Sequence, residues 1–310
     1  MKKVLIPTKL DAVAAEILKK NGYEVVQDSK TPLEEFLKSH SDAWGLIVRS
    51  EKIPAEVQDL LPNLKVIVRA GAGFDNIDGK HARSRGIDVM NTPGANSNGV
   101  AEEVIALILA DCRHIVKADT GTRAGLWEKK QLMGRELTNK TVGIVGTGNI
   151  GRLVAKRLSG FDDRVLGYDP MIPAEKIREA GIEPATLEEI FSQADFVTLH
   201  VPLNDATRGL VGAKLLGLMK PGATIINCAR YGIVDEDALR AVKAEKALRY
   251  LNDVYAKDAE GMKPNADIAD IMMPHLGANT FEANYNAAKR AAEEIVELEA
   301  KGDLFCIVNR

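Results

Sequence analysis

Cysteine is scarce in this chain, and its three copies, Cys112, Cys228 and Cys306, lie far apart in the sequence. A disulfide framework or a zinc site needs more cysteines at short, regular spacings. The sequence therefore predicts neither a disulfide-stabilised secreted domain nor a metal site. Scattered cysteines are typical of a reducing compartment, so we expect a cytoplasmic location.

The chain also lacks a surplus of basic residues. Its 41 lysines and arginines are outnumbered by 44 aspartates and glutamates, which gives a net charge of −3. Proteins that neutralise nucleic-acid phosphates usually carry a basic surplus. Nucleic-acid binding is therefore not expected.

No long hydrophobic run is present. The most apolar helix-like stretch, residues 99–116, contains charged side chains such as Glu102 and Arg113, which excludes a lipid-exposed span. Residues 1–7 turn polar after only a few apolar residues, too few for the core of a signal peptide. We expect no membrane insertion and no secretory leader.

What the chain does contain is enough apolar material for two folded domains. Its 310 residues exceed the usual size of one domain, and 45% of them are hydrophobic. Short β-rich runs alternate with helical patterns over the first third, and a second alternating series opens at Thr141. Alternation of this kind, with almost continuously apolar strands, is typical of a parallel sheet covered on both faces by helices. The predicted strands are residues 4–6, 23–26, 45–48 and 65–68 in the first series, and 142–145, 165–168, 196–199, 223–226 and 250–251 in the second.

Two long helical patterns flank the second series. One covers residues 97–116 and the other covers residues 280–300, so the chain is expected to cross twice between two α/β domains. We predict two doubly wound parallel-sheet domains.

A glycine-rich turn joins the first strand and the first helix of the second series. Residues 146–151 read Gly-Thr-Gly-Asn-Ile-Gly and fit the pattern G-x-G-x-x-G between a strand and a helix. Gly146 permits the tight turn, Gly148 lets the backbone approach a pyrophosphate, and Gly151 lets the helix pack closely against the strand. The helix N-terminus then offers N–H groups and a partial positive charge to phosphates. An ordinary strand-to-helix turn is the alternative interpretation.

An acidic residue at the end of the next strand favours the dinucleotide interpretation. Asp169 directly follows that strand, roughly 20 residues beyond the glycine turn, where a carboxylate accepts hydrogen bonds from the adenosine ribose. A carboxylate at this point also repels a 2′-phosphate. The sequence therefore predicts NAD, rather than NADP, as the cofactor.

Polar residues come shortly after three later strands of the same series. These are His200, Arg230 and His275. In an open α/β sheet, ligands bind outside the carboxyl ends of the strands. We therefore expect Arg230 and His275 at the ligand-binding edge, whereas His200 is expected to line the cofactor cleft structurally.

An arginine, a histidine and an acid are suited to hydride transfer between a 2-hydroxy acid and NAD. Arg230 would hold the substrate carboxylate and polarise the C2 oxygen, because its planar guanidinium stays charged. His275 would exchange the hydroxyl proton near neutral pH, and a carboxylate would orient it. Taken singly, Arg230 could be a surface arginine on a loop. Cys228 is interpreted as a small packing residue, since no signature of thiol catalysis accompanies it.

The chain resembles the D-isomer-specific 2-hydroxyacid dehydrogenases over nearly its whole length. Several long motifs occur in the order found in that family, which makes the resemblance highly specific. They are residues 48–50, 69–76, 90–97, 146–151, 227–230, 232–236 and 274–278.

The resemblance implies two Rossmann-like domains: a discontinuous substrate domain of residues 1–93 and 282–310, and an NAD-binding domain of residues 94–281. It also implies a homodimer formed through the cofactor domain and a defined set of site residues. The family's catalytic arginine and histidine match Arg230 and His275, and its contact to the nicotinamide carboxamide matches Asp253. The residues expected to bind the cofactor are Gly146, Gly148, Asn149, Ile150, Asp169, His200, Pro202, Cys228, Ala229, Asp253 and Gly277. The residues expected to bind the substrate are Arg49, Arg69, Ala70, Gly71, Ala72 and Gly73. Residues 127–130 match a segment that can approach the partner's site, or they are a solvated charge run.

The chain departs from the family pattern in one functional segment. The glutamate that pairs with the catalytic histidine is replaced by Asp258, whose side chain is shorter by one C–C bond, roughly 1.5 Å. The backbone could close the gap, a water could bridge it, or the pairing could be lost. We expect Asp258 still to serve, because the charge type is retained.

Within the family, the resemblance is strongest to members that oxidise 3-phospho-D-glycerate with NAD, the entry step to serine synthesis. The expected activity is therefore oxidation of that substrate to 3-phosphohydroxypyruvate. A reductase of hydroxypyruvate, glyoxylate or another 2-keto acid is one alternative. A non-catalytic NAD(H)-sensing protein on the same fold is another. No C-terminal regulatory module and no serine feedback through one are expected.

Overall fold

The computed structural model describes residues 1–255, 265–302 and 305–310. Contacts within the chain divide it into two compact units. The first unit comprises residues 1–96 and 279–310, and the second comprises residues 97–278. The first unit is therefore built from two segments of chain that enclose the second unit in sequence.

Strands and helices alternate through both units. The elements of residues 1–96 are β1 (Lys3–Ile6), α1 (Val13–Lys20), β2 (Glu24–Gln27), α2 (Leu33–Ser39), β3 (Gly45–Val48), α3 (Ala55–Gln58), β4 (Val66–Arg69), α4 (Gly79–Ser84) and β5 (Asp88–Asn91). The elements of the second unit are α5 (Ser97–Cys112), α6 (Ile115–Arg123), β6 (Thr141–Val145), α7 (Asn149–Leu158), β7 (Arg164–Tyr168), α8 (Ala174–Glu179), β8 (Glu183–Pro184), α9 (Leu187–Gln193), β9 (Phe196–Leu199), α10 (Ala213–Leu218), β10 (Thr224–Asn227), α11 (Glu236–Lys246), β11 (Arg249–Asn252) and β12 (Ile271–Met272). Helix α12 (Phe281–Lys301) returns to the first unit.

The sheet of the first unit has the strand order β2-β1-β3-β4-β5, and its pairs are parallel. Side chains alternate between its two faces, as a strand requires. Val4 and Ile6 join the apolar cluster that includes α1 and α12, whereas Leu5 joins the cluster on the other face. Because both faces are buried, the central strands β1, β3 and β4 are apolar apart from Lys3 and Arg69 at their ends.

The described strands of the second unit form a sheet with the order β12-β11-β10-β9-β6-β7-β8, again with parallel pairs. Ile144 packs on one face and Val145 on the other, each within a separate apolar cluster. The strand order reverses between β6 and β9, and in doubly wound sheets such a point is where ligands bind. The predicted class, α/β with two doubly wound parallel sheets, is confirmed.

Local sequence explains the helices that cover this sheet. Helix α7 buries Val154, Ala155 and Leu158 on one face, while the exposed positions Arg152 and Lys156 are charged. Helix α9 begins with a capping box in which Thr186 and Glu189 satisfy each other's backbone N–H groups. None of the described helices has the length and apolar character that crossing a membrane requires.

The predicted single helix over residues 97–116 is wrong. Helix α5 ends at Cys112, and α6 starts again at Ile115. Between them His114 adopts a left-handed backbone with φ of +52°, a conformation that cannot continue a right-handed helix. The short elements α4, β5, α8 and β8 were not predicted, because none carries a long apolar repeat.

Candidate active site

The glycine turn after β6 is shaped by close backbone contacts. Gly146 has φ of +98°, and a Cβ atom on it would lie 2.7 Å from the carbonyl carbon and oxygen of His200. A Cβ atom on Gly151 would lie 2.2 Å from the carbonyl oxygen of Gly146. Both positions therefore require glycine, one for the turn itself and one for the close packing of α7.

Gly148 differs from these two glycines because the space beside it is open. A Cβ atom there would meet no atom within 4 Å. Gly148 is also the N-cap of α7, and no side chain caps that helix end. An open approach to uncapped helix N–H groups fits a bound pyrophosphate.

Asp169 lies beside the glycine turn at the carboxyl end of β7. Its Oδ2 atom accepts a hydrogen bond from the Thr147 backbone N–H at 2.9 Å, and its Oδ1 atom accepts one from Met171 N–H at 3.0 Å. A carboxylate oxygen can accept more than one hydrogen bond. The carboxylate held here has the capacity to accept from ribose hydroxyls as well, and this role of Asp169 stays a prediction.

His200 follows β9 on the other side of the switch point. Its Nε2 atom lies 3.0 Å from Thr198 Oγ1, and burial lowers the pKa of the imidazole to about 3. Its shielded Nδ1 atom has no hydrogen-bond partner among the described residues, and neither has the shielded Oγ1 atom of Thr147. Shielded polar atoms of this kind near the glycine turn fit a polar ligand.

Arg230 is carried by a turn that follows β10. The buried Asn227 shapes this turn: its Nδ2 atom donates to the Arg230 carbonyl at 3.0 Å, and its Oδ1 atom accepts from Ala229 N–H at 3.1 Å. The Arg230 guanidinium donates to the Ala229 carbonyl at 2.8 Å. Sequence reasoning missed Asn227, although an amide at a strand end is a known turn-former.

Asp253 connects β11 to the segment that carries His275. The buried Asp253 accepts hydrogen bonds from the backbone N–H of Leu276 at 2.8 Å and of Gly277 at 3.0 Å. His275 is exposed and has φ of +59°, so its backbone is held in the left-handed region. Because β10, β11 and β12 are neighbouring parallel strands, Arg230, Asp253 and His275 all lie at one edge of the sheet.

Glu103 on α5 is a further acidic group at this edge, and sequence reasoning did not identify it. A Cβ atom on Gly277 would lie 2.8 Å from Glu103 Oε2 and 3.4 Å from Asp253 Oδ2. Burial and the neighbouring Asp253 carboxylate raise the pKa of Glu103 to about 8. The sequence contained one signal that could have identified Glu103. Helical spacing places it next to the buried face formed by Val100 and Val104.

The predicted substrate residues lie in the first unit, at the carboxyl ends of β3 and β4. The Arg69 Nε atom donates to the Arg49 carbonyl at 3.1 Å. Gly71 has φ of +148°, and a Cβ atom on it would lie 1.5 Å from an Arg69 guanidinium nitrogen. The loop backbone is fixed by Asn91, whose Nδ2 atom donates to the Ala72 carbonyl at 2.5 Å. Arg49, Arg69 and residues 70–73 are therefore brought together.

Two further sequence predictions concern other segments. Asp258, the predicted partner of the catalytic histidine, lies outside the described residues. Trp127 is 85% exposed, and Lys129 and Lys130 are exposed beside it. That exposure fits both a partner contact and a solvated charge run.

The strand order of the second unit, its glycine turn and the acid after β7 define a dinucleotide-binding α/β protein. Comparison with known proteins gives the family. Residues 105–277 match the model of the family described as D-isomer specific 2-hydroxyacid dehydrogenase, NAD binding domain. The chain belongs to this family, and its second unit therefore contains the NAD-binding domain.

Three similar proteins illustrate the range of the match. D-3-phosphoglycerate dehydrogenase of Archaeoglobus fulgidus is 40% identical over 304 residues, which are 97% of this chain and 58% of that protein. The NAD⁺-bound structure of 3-phosphoglycerate dehydrogenase from Entamoeba histolytica has a TM-score of 0.83 and 34% identity, covering 100% of this chain and 99% of the other. A glyoxylate reductase from Paecilomyes thermophila has a TM-score of 0.84 and 28% identity, covering 99% and 98%. The chain thus spans less than two thirds of the length of the curated relative.

Proposed function

We propose that this chain oxidises 3-phospho-D-glycerate to 3-phosphohydroxypyruvate with NAD, the entry step to serine synthesis. The proposal is supported by its similarity to the phosphoglycerate dehydrogenases at full coverage of this chain. It is also supported by an edge of the second sheet that carries an arginine, a histidine and a dinucleotide turn. The observation that carries it is the pair of hydrogen bonds from the Leu276 and Gly277 N–H groups to Asp253, which ties the His275 segment to the strand beside that of Arg230.

Each residue at this edge has a role in the proposed reaction. Arg230 binds the substrate carboxylate and the C2 oxygen through its charged guanidinium. His275 accepts the C2 hydroxyl proton as the C2 hydrogen leaves with its electron pair, so that the alcohol becomes a ketone. NAD supplies the hydride acceptor. Asp253 would accept from the nicotinamide carboxamide, while Gly148 and Asp169 would hold the pyrophosphate and the ribose.

The remaining cofactor contacts follow from the same edge of the sheet. We assign the other cofactor-binding positions to Gly146, Asn149, Ile150, His200, Pro202, Cys228, Ala229 and Gly277. In the first unit, Arg49 and Arg69 would bind the substrate phosphate, and backbone N–H groups of residues 70–73 would bind its carboxylate. Asp258 would hold His275 in its protonated form after proton transfer.

Steady-state assays with purified protein test this proposal. With NAD we expect kcat/KM for 3-phospho-D-glycerate to exceed that for D-glycerate by at least about 10²-fold, because a charged phosphate pairs with arginine. Arg49→Met and Arg69→Met are expected to reduce that ratio by raising KM for the phosphorylated substrate only. Equal use of the two substrates would contradict the assignment of the phosphate-binding residues.

Reduction of glyoxylate or hydroxypyruvate is the second candidate. The likeness to a glyoxylate reductase favours it, and the same arginine and histidine would perform the chemistry in reverse. A panel of 2-keto acids with NADH distinguishes the candidates, since a reductase prefers the unphosphorylated acids. Binding of NADH without turnover of any acid would instead indicate a sensing protein.

We also propose a homodimer in a reducing, cytoplasmic compartment. Apolar side chains in the segment around α6 are strongly exposed, including Trp127 at 85% and Met133 at 82%. Exposed apolar groups in one segment are typical of a protein interface. The proposed reducing compartment is supported by the cysteines, since Cys112, Cys228 and Cys306 are free thiols. Light scattering tests the dimer, which Trp127→Glu is expected to dissociate.

A further inference from the structure

Glu103 is a half-buried acid that the proposed reaction does not use. It lies on α5, and both of its carboxyl oxygens are shielded from solvent. Neither oxygen has a hydrogen-bond donor among the described residues. An ionised carboxylate without donors is costly in such a place, so the group must either lose its charge or find a partner.

The neighbouring acid, Asp253, is in the opposite situation. Both of its oxygens accept backbone N–H groups, from Leu276 at 2.8 Å and from Gly277 at 3.0 Å. Each oxygen of Asp253 therefore has a donor, which neither oxygen of Glu103 has. The two carboxyl groups meet beside the Cα atom of Gly277, whose ideal Cβ position lies 2.8 Å from Glu103 Oε2 and 3.4 Å from Asp253 Oδ2. Since two adjacent carboxyl groups do not both ionise readily, the proton resides on Glu103.

The other groups around Glu103 do not offset its charge. Cys228 faces it from the turn after β10 as a neutral thiol, because burial raises the pKa of that thiol. This thiol lowers the pKa of Glu103, but by less than burial and Asp253 raise it. On α7, which packs against α5, Arg157 lies 3.3 Å from Glu102 and pairs with that carboxylate. Burial and the Asp253 charge raise the pKa of Glu103 to about 8, which agrees with the hydrogen-bond pattern.

We propose that Glu103 is a positioning residue whose carboxylic acid donates a hydrogen bond to Asp253 and thereby fixes the carboxylate that binds the nicotinamide carboxamide. This inference rests on the role of Asp253 in the proposed function. It makes the nicotinamide contact sensitive to alkaline pH. When Glu103 loses its proton, the hydrogen bond is replaced by repulsion between two like charges.

Infrared spectroscopy of the cofactor-free protein tests the protonation directly. At pH 6 we expect the spectrum of the wild-type protein to contain the carbonyl band of a protonated carboxylic acid. The spectrum of Glu103→Gln should lack this band. The band should disappear between about pH 7 and 9, the range around the raised pKa. Glu102→Gln is the matched control. Glu102 is the exposed neighbour of Glu103 and pairs with Arg157, so this variant should retain the band. A difference spectrum without this band would overturn the proposal, whether or not the chain oxidises any hydroxy acid.

Calorimetric binding of NADH and of ADP-ribose tests the positioning role. Glu103→Leu removes the donor, and we expect it to weaken NADH binding about tenfold at pH 7 while leaving ADP-ribose, which has no carboxamide, unchanged. Glu103→Gln keeps an N–H donor toward Asp253 and should bind NADH as the wild-type protein does. At pH 9 the wild-type protein should lose several-fold in NADH affinity, whereas Glu103→Gln should not.

Two binding results would overturn the positioning role of Glu103. Equal weakening of NADH and ADP-ribose by Glu103→Leu would indicate a merely structural role and would overturn the proposal. An unchanged NADH affinity in Glu103→Leu would do the same. If Glu103→Leu does not fold, the pH dependence of Glu103→Gln still decides, because identical alkaline loss in wild type and variant contradicts the inference.

Discussion

The Asp253 carboxylate accepts a hydrogen bond from the backbone N–H of Leu276 at 2.8 Å. Asp253 directly follows β11, and Leu276 directly follows His275, so the acid fixes the segment that presents the histidine. A second bond from Gly277 N–H at 3.0 Å completes this attachment. The left-handed backbone of His275, with φ of +59°, is held in place by these contacts.

Replacing Asp253 by asparagine should therefore disturb the His275 segment. Asn presents one oxygen and one NH₂ group, so one of the two backbone N–H groups loses its acceptor, which costs about 1–3 kcal/mol. We expect kcat to fall about 10²-fold, since small misplacements of a catalytic group are costly. Asp267→Asn, which breaks an exposed ion pair with Arg240, is the control and should leave kcat unchanged. Full activity in Asp253→Asn would contradict this role.

Gly71→Ala should displace the Arg69 guanidinium. The new Cβ atom would lie 1.5 Å from one of its nitrogens, and φ of +148° already disfavours alanine. We expect KM for 3-phospho-D-glycerate to rise about tenfold, and Arg69→Met to produce a similar rise. Gly22→Ala provides a matched control, because its φ is +84° and no atom lies within 4 Å of its Cβ position. That variant should lose stability without a change in KM, and a KM unaffected by Gly71→Ala would contradict the proposed contact.

His200 should make the folded protein sensitive to acid. Its pKa is lowered to about 3 in the folded state, whereas an unfolded histidine titrates near 6.5. Below pH 6.5 the unfolded chain binds a proton that the folded chain does not, so stability falls with decreasing pH by up to about 1.4 kcal/mol per pH unit. His200→Gln should show a smaller fall in denaturation midpoint between pH 7 and 5, relative to its own value at pH 7. The same pH dependence as the wild-type protein would contradict a neutral buried imidazole, and His81→Gln on α4 serves as control.

Much of the fold could be predicted because buried parallel strands are almost uniformly apolar. The strands ending at Val48 and Leu199 were predicted with their observed bounds. The break at His114 could not be predicted, since neither glycine nor proline marks it, and the left-handed residue is selected by tertiary packing. Helix α4, with the sequence Gly-Lys-His-Ala-Arg-Ser, has no apolar repeat and is held by its N-cap Asp78.

The candidate site was predictable to the extent that it lies at strand ends. Parallel strands bring their carboxyl ends to one edge, so Asp169, Arg230 and His275 could be grouped without coordinates. Asn227 was missed although it ends a strand and forms hydrogen bonds with the nearby Ala229 and Arg230, so a local signal was present. Glu103 could not be found in this way, because its neighbours Asp253 and Gly277 are distant along the chain and meet it only through packing.

The central claim is that His275, at the same sheet edge as Arg230, transfers the substrate proton during hydride transfer to NAD. Single-turnover formation of NADH by His275→Gln with saturating 3-phospho-D-glycerate tests it most directly. We predict a rate lower by about 10²–10⁴-fold, with the Kd for NADH unchanged and with His81→Gln as active as the wild-type protein. A His275→Gln rate within a few-fold of the wild-type rate would contradict the account.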